Sequence, residues 1–181
     1  VTGVQTCALP IFEAKLADWL ETRVGWRPHV INWAKSFVKE GLLDRAITRD
    51  LDWGIKIPVD DLGDGKKIYV WFEAVIGYLS ASKEWAKLNG DEDAWKDWWT
   101  NEDAESYYFI GKDNVPFHAV IWPSILLGYE GLNLPTNVPA NQYILVKGEK
   151  ASASRGVGKS LDEYLNEWNP DSLRYALASV L

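Results

Sequence analysis

From Lys67 onward two kinds of segment alternate along the chain, and that alternation limits what it can fold into. Lys67 to Glu73 reads KIYVWFE, rich in β-branched and aromatic residues, as a buried strand is. Val75 to Lys87 reads as a helix, Glu105 to Gly111 as a second strand, and Val115 to Leu127 as a long helix entered through Pro116 near its first turn. Gln142 to Val146 reads as a third strand. Strand, helix, strand, helix, strand is the order of a parallel α/β sheet. Ligands of such sheets bind beyond the carboxyl ends of the strands. Three stretches therefore carry the functional expectation: 71–78, 111–122 and 147–159.

The flanks are mostly helical. Leu16, Trp19, Leu20 and Val24 fall at helical spacing, as do Val30, Ile31, Trp33, Ala34, Phe37 and Val38. Residues 47–58 read as extended, 91–99 as a short acidic helix with a tryptophan face, and 161–167 and 172–181 as closing helices, the last capped by Asp171. The net charge of −7 argues against a chain that grips nucleic acid along its length, so DNA is not an expected partner and RNA contact is local or made elsewhere. The single cysteine, Cys7, excludes a disulfide framework and a cysteine zinc site within the chain, which fits a reducing, cytoplasmic setting. No apolar run is long enough to span a bilayer, so no membrane association is expected.

Each strand end has a functional and a structural reading. Trp71, Ala74, Val75 and Tyr78 sit where a strand becomes a helix: two aromatic walls and a small residue make an apolar pocket, or simply a core. In FIGKDNVPFHAVIW, Gly111 lets backbone approach a ligand, and His118 and Trp122 share a helix face four residues apart. Asp113 there is equally a helix cap, and His118 a structural histidine. With only His29 and His118 and no ligand cluster around either, no metal site is expected. The third stretch, KGEKASASRGVGKS, is electropositive in an acidic chain; open backbone N–H groups and lysines suit phosphates, and a solvated loop is the plain alternative.

Taken together, these strings resemble the methionyl-tRNA synthetases. YVWFEAVIGY is similar to that family's YVWFDAxIGY, and FIGKDNVPFHAVIWP to its FIGKDNIPFHxxxWP. RAITRDLDWGIKIP, LPTNVPANQYILVKGEKASASRG and DSLRYALAS follow the family's order in one register, over nearly everything from residue 13 to 181. The resemblance implies a partial Rossmann-like class I synthetase sheet with flanking helices, its N-terminal half missing. It implies ATP-dependent activation of methionine to methionyl-adenylate and transfer to tRNA(Met) in the intact protein, with ATP arriving as its Mg²⁺ complex and no tightly bound cofactor. Carried over residue by residue, Trp71, Ala74, Val75 and Tyr78 line the methionine pocket, with Val75 standing where many members have Pro. Asp113 and Asn114 help hold the amino acid, and His118 and Trp122 close around its thioether. Gly111 lies against ATP, and Lys150, Ser152, Ser154 and Arg155 belong to the loop that closes on the phosphates, with Lys150 and Arg155 in the catalytic role.

That loop departs from the family. Its signature positions read Lys150-Ala151-Ser152-Ala153-Ser154, so the second lysine is Ala153. Losing one preorganised charge donor costs about 2.7–4 kcal/mol of transition-state stabilisation, unless Arg155 or Lys159 compensates. The family's HIGH signature, which contacts ATP, is not in the sequence, so the isolated fragment is expected to be inactive. Residues 1–11, VTGVQTCALPI, match the translation of a common sequencing-library adapter and are expected to be an artefact of that origin. Residues 12–46 are expected to be the helical tail of the insertion domain, 47–159 the second half of the catalytic domain, and 160–181 the start of the stem-contact helices. Three rivals remain open: a P-loop at ASRGVGKS, a class I synthetase for another amino acid, and a catalytically silent RNA- or protein-binding module derived from a synthetase.

Overall fold

The computed structural model describes residues 6–7, 9–58, 65–143, 145–146 and 148–179. One long helical rod organises it. A π-helical turn at Phe117–Ile121 runs into a helix over Trp122–Tyr129. Pro123 explains the wide turn: it has no N–H to give to the carbonyl of Ala119, and its ring would crowd that oxygen in a regular helix. One side of this rod, with Val115, Ala119 and Val120, packs on helix α1 (Glu13–Glu21) and helix α2 (Pro28–Lys39). Val30, Ala34 and Val38, one helical face of α2, are buried there. The other side presents Trp122 and Leu126 to a second core of Val75, Leu79, Trp99 and Tyr108.

Strand pairing is short. Ile110–Gly111 (β3) runs parallel to Ala140–Asn141 (β4), and a parallel bridge joins Tyr107 to Asn137. This is the parallel strand–helix–strand unit the sequence order predicts, with the rod as its crossover. The N-terminus of α2 ties to the same place: Arg27 donates to the carbonyl of Ala140 and to Asn141, and the Trp26 indole donates to the carbonyl of Thr136.

Three local expectations are corrected. The expected strand 67–73 ends early. Lys66–Ile68 (β2) pairs antiparallel with Thr48–Asp50 (β1), and the chain then turns helical at Val70–Glu73 (α3) before helix α4, Gly77–Leu88. The reason is in the spacing: Trp71, Ala74, Val75 and Tyr78 stand at i, i+3, i+4 and i+7, one face of a helix. The expected third strand, 142–146, is split. The parallel segment is β4, upstream of it, while Leu145–Val146 (β5) turns back on Glu149–Lys150 (β6) as a hairpin, with Gly148 at φ 86° in the turn. Asp171 is not the cap of the last helix, Pro170–Ser179; Asn169 is, its side-chain oxygen accepting from the Asp171 N–H. The helix over Leu161–Glu167 does carry a capping box, Ser160 with Glu163.

At the N-terminal end, Thr6–Cys7 pairs antiparallel with Arg45–Ala46, and Leu9 is buried in the first core. Among the described residues no helix is long and apolar enough to cross a membrane.

Candidate active site

Two adjoining cavities open beyond β3. The smaller, about 380 Å³, is lined by Trp71, Ala74, Val75 and Tyr78 from α3 and its continuation, and by Gly111, Asn114 and His118 from the β3–rod junction. Its volume falls within the range of small-molecule sites. Ala74 is exposed at its wall, where it presents only a methyl group. Phe109, Ile110 and Phe117 complete it; the motif strings contain them, yet no spacing argument singled them out. The larger cavity, about 640 Å³, shares Trp71, Asn114 and Phe117 with the first and adds Arg45, Arg49, Tyr69 and Asp113.

His118 is held at both nitrogens. Nδ1 lies 3.0 Å from the carbonyl oxygen of Asn114, and Nε2 lies 2.8 Å from the hydroxyl of Tyr78. A carbonyl only accepts, so Nδ1 carries the proton. Burial lowers the histidine's pKa and so favours the neutral ring, partly offset by the Asn114 hydrogen bond, which raises it. Nε2 is then an acceptor, and Tyr78 donates to it. Tyr108 stands edge-on to Tyr78 at 5.1 Å, closing an aromatic cluster behind the pocket.

Trp122 does not line either cavity. It is 1% exposed, donates its indole N–H to the Tyr108 hydroxyl at 3.0 Å, and packs edge-on against Trp99 at 5.9 Å. Burial raises the Tyr108 pKa, opposed by the hydrogen bonds from Trp122 and with Ser106. Trp122 therefore supports the wall that Tyr78 and His118 present, one residue further from the space.

The polar end is a cluster around Tyr143. Asp113 does not cap the rod, whose N-cap is Pro116 with no side-chain cap bond; it lies within the single turn Lys112–Asn114 before it. Its carboxylate instead accepts from the Tyr143 hydroxyl and lies 3.5 Å from the Lys150 ammonium. The Tyr143 hydrogen bond is the main cause holding the Asp113 carboxyl below its ordinary pKa, with Lys150 and Lys112 adding to it. The Lys150 pKa is raised, first by Tyr143 and then by Asp113. Lys150 and Lys112 stand 3.5 and 3.9 Å from the Tyr143 ring centroid, both as cation–π contacts.

Beyond Lys150 the loop is bridged Ser152 to Val157 and turns once at Ala153–Arg155. The hydroxyls of Ser152 and Ser154 lie 3.2 Å apart. Arg155 donates to the carbonyl of Lys150, and Lys159 is ion-paired with Glu167, which raises its pKa. A P-loop would leave its lysine free at a helix entrance that follows a strand directly. Here the lysine is paired and Ser160 is the helix cap, so that rival does not survive. Lys147, in the same stretch, lies outside the described residues.

A parallel β–helix–β unit with an aromatic pocket at its strand end, beside a lysine-bearing loop, defines the catalytic domain of a class I synthetase. The comparisons agree. The family described as tRNA synthetases class I (M) matches residues 6–181, and the chain belongs to it. It is 49% identical over 173 residues to the methionine–tRNA ligase of Thermoplasma volcanium, covering 96% of this chain and 32% of that protein. It is 52% identical over 171 residues to the Dehalococcoides mccartyi (strain BAV1) methionine–tRNA ligase, covering 94% and 31%. Among solved structures, Mycobacterium tuberculosis methionyl-tRNA synthetase in complex with methionyl-adenylate superposes with a TM-score of 0.78 at 28% identity, covering 95% of this chain and 32% of that one. The chain thus spans about a third of the length of the curated relatives it matches.

Proposed function

We propose that the chain carries the methionine pocket and the phosphate-facing loop of an enzyme that activates methionine with ATP and transfers it to tRNA(Met). The observation that carries this reading is the pocket of Trp71, Ala74, Tyr78 and His118 opening beside Asp113 and Lys150. A thioether side chain suits aromatic walls. The polar end suits the rest of the amino acid: the Asp113 carboxylate pairs with an α-ammonium group, and Asn114 borders both cavities.

The chemistry needs no nucleophile from the protein. The methionine carboxylate attacks the α-phosphorus of ATP, the bond to the β-phosphate oxygen breaks, and pyrophosphate leaves with the electron pair. The adenylate's carbonyl is then attacked by a hydroxyl of the tRNA 3′ end, releasing AMP. What the protein contributes is position and charge. Gly111, with no side chain, leaves backbone open to the nucleotide at the strand end. Lys150, with Ser152, Ser154 and Arg155, faces the phosphates when the loop moves over them. Mg²⁺ enters with ATP, held mainly by phosphates as this ion commonly is; among the described residues no cluster of acidic, histidine or cysteine side chains could hold a metal alone. A cytoplasmic setting fits tRNA as substrate.

One observation favours the second reading, a catalytically silent descendant: the alanine at 153 in the loop. Methionine-dependent exchange of pyrophosphate into ATP, measured on a full-length enzyme containing this chain, separates the two. Exchange that requires methionine and is lost with Lys150→Ala supports the enzyme. Absence of exchange in a folded, tRNA-binding protein supports the silent module.

A further inference from the structure

Tyr143 lies outside the residues given a role above, yet three charged groups converge on it. Its hydroxyl donates to Asp113, and its ring carries the ammonium groups of Lys150 and Lys112 at 3.5 and 3.9 Å. Lys150 is also 3.5 Å from the Asp113 carboxylate. The loop lysine is therefore parked against an aromatic face and a carboxylate, both parts of the site itself. The carboxylate is occupied on both oxygens by donors from the hairpin side of the chain, Tyr143 on Oδ1 and Lys150 on Oδ2.

We propose that Tyr143 is a positioning residue that holds Lys150 against Asp113, and that a hydrogen-bond-donating substrate group arriving at Asp113 releases the lysine toward the phosphates. The release step rests on the site reading above; the holding step does not. A carboxylate exchanges one donor for another: the α-ammonium of an amino acid and the hydroxyls of a ribose share that chemistry. Substrate occupancy is in this way coupled to the freedom of the loop, because the same oxygen cannot serve Lys150 and the ligand equally. Lys159, paired with Glu167 at the far end of the loop, is not part of the clamp and serves as its internal control.

The test is lysine acylation of the 181-residue chain with a limiting amine-reactive ester, site rates being read by mass spectrometry and Lys150 expressed relative to Lys159. Tyr143→Leu removes ring and hydroxyl and is expected to raise the Lys150 rate several-fold. Tyr143→Phe keeps the ring and is expected to raise it less. Saturating L-methionine or adenosine is expected to raise the Lys150 rate in the native chain but not in Asp113→Asn, and the ligand that does so identifies the donor. An unchanged Lys150 rate in Tyr143→Leu overturns the clamp, as does an equal rise at Lys159, which would mean general loosening. Methionine binding seen by tryptophan fluorescence, with no change at Lys150 from either ligand, overturns the release. If a full-length enzyme containing this chain does not bind methionine either, the methionine-site reading fails, while the Tyr143 variants still decide the clamp.

Discussion

The Tyr78 hydroxyl stands 2.8 Å from Nε2 of His118, whose other nitrogen faces the carbonyl of Asn114. This pair fixes the tautomer and the charge of the histidine, and with them the floor of the apolar pocket. Removing the donor, as in Tyr78→Phe, leaves Nε2 short of a partner and should cost about 0.5–1.5 kcal/mol, read as a lower urea midpoint. Tyr78 is partly exposed, so the loss belongs at the lower end of that range.

The same histidine sets a pH dependence. Burial lowers its pKa below the ordinary 6.5, so the folded state binds its proton at lower pH than the unfolded chain does. Its contribution to stability is then fully present above about 6.5 and is lost as pH falls from there through the folded value. A denaturation series between pH 7.5 and 5 should show falling stability, with a shallower fall in His118→Gln. Equal slopes for the two proteins would contradict the assignment.

Trp122 is predicted to matter through packing rather than by touching the ligand. Trp122→Ala should cost about 3–5 kcal/mol of stability. Trp122→Phe, which keeps most of the apolar contact but loses the indole N–H to Tyr108, should keep methionine affinity within a few-fold while lowering the melting temperature. A large loss of affinity in a stable Trp122→Phe protein would place the indole at the ligand instead.

Ala153 occupies a signature position, and the neighbouring cations are engaged: Lys159 with Glu167, Arg155 with the Lys150 carbonyl. Restoring a lysine, Ala153→Lys, should therefore raise the adenylation rate of a full-length enzyme containing this chain, by up to the roughly 100- to 1,000-fold that one preorganised donor supplies. An unchanged rate would show that the charge is already provided.

The residues of the candidate pocket are legible in the sequence because they lie close together in it. Trp71, Ala74, Val75, Tyr78, Gly111, Asn114 and His118 come from two short strings and meet in one pocket. KIYVWFE has the composition of a strand, but the residues from Trp71 to Tyr78 have helical spacing, and past Tyr69 the backbone leaves its strand pairing. Tyr143 and Tyr108 escaped notice for another reason. Their roles come from partners 7 to 30 positions distant, brought together only by the hairpin and the rod. The four-residue spacing of His118 and Trp122 does not bring both to the pocket: Trp122, after the π-turn, is hydrogen-bonded to the Tyr108 hydroxyl behind the wall.

The most direct measurement is calorimetric titration of L-methionine into a full-length enzyme containing this chain, native and Ala74→Leu, with ATP binding followed alongside. Filling the space beside Trp71 should weaken methionine by at least the roughly 10- to 200-fold that one misfit methylene costs in an apolar pocket, while ATP affinity holds. Equal methionine affinity in the two proteins would mean that the amino acid binds somewhere other than between Trp71, Tyr78 and His118.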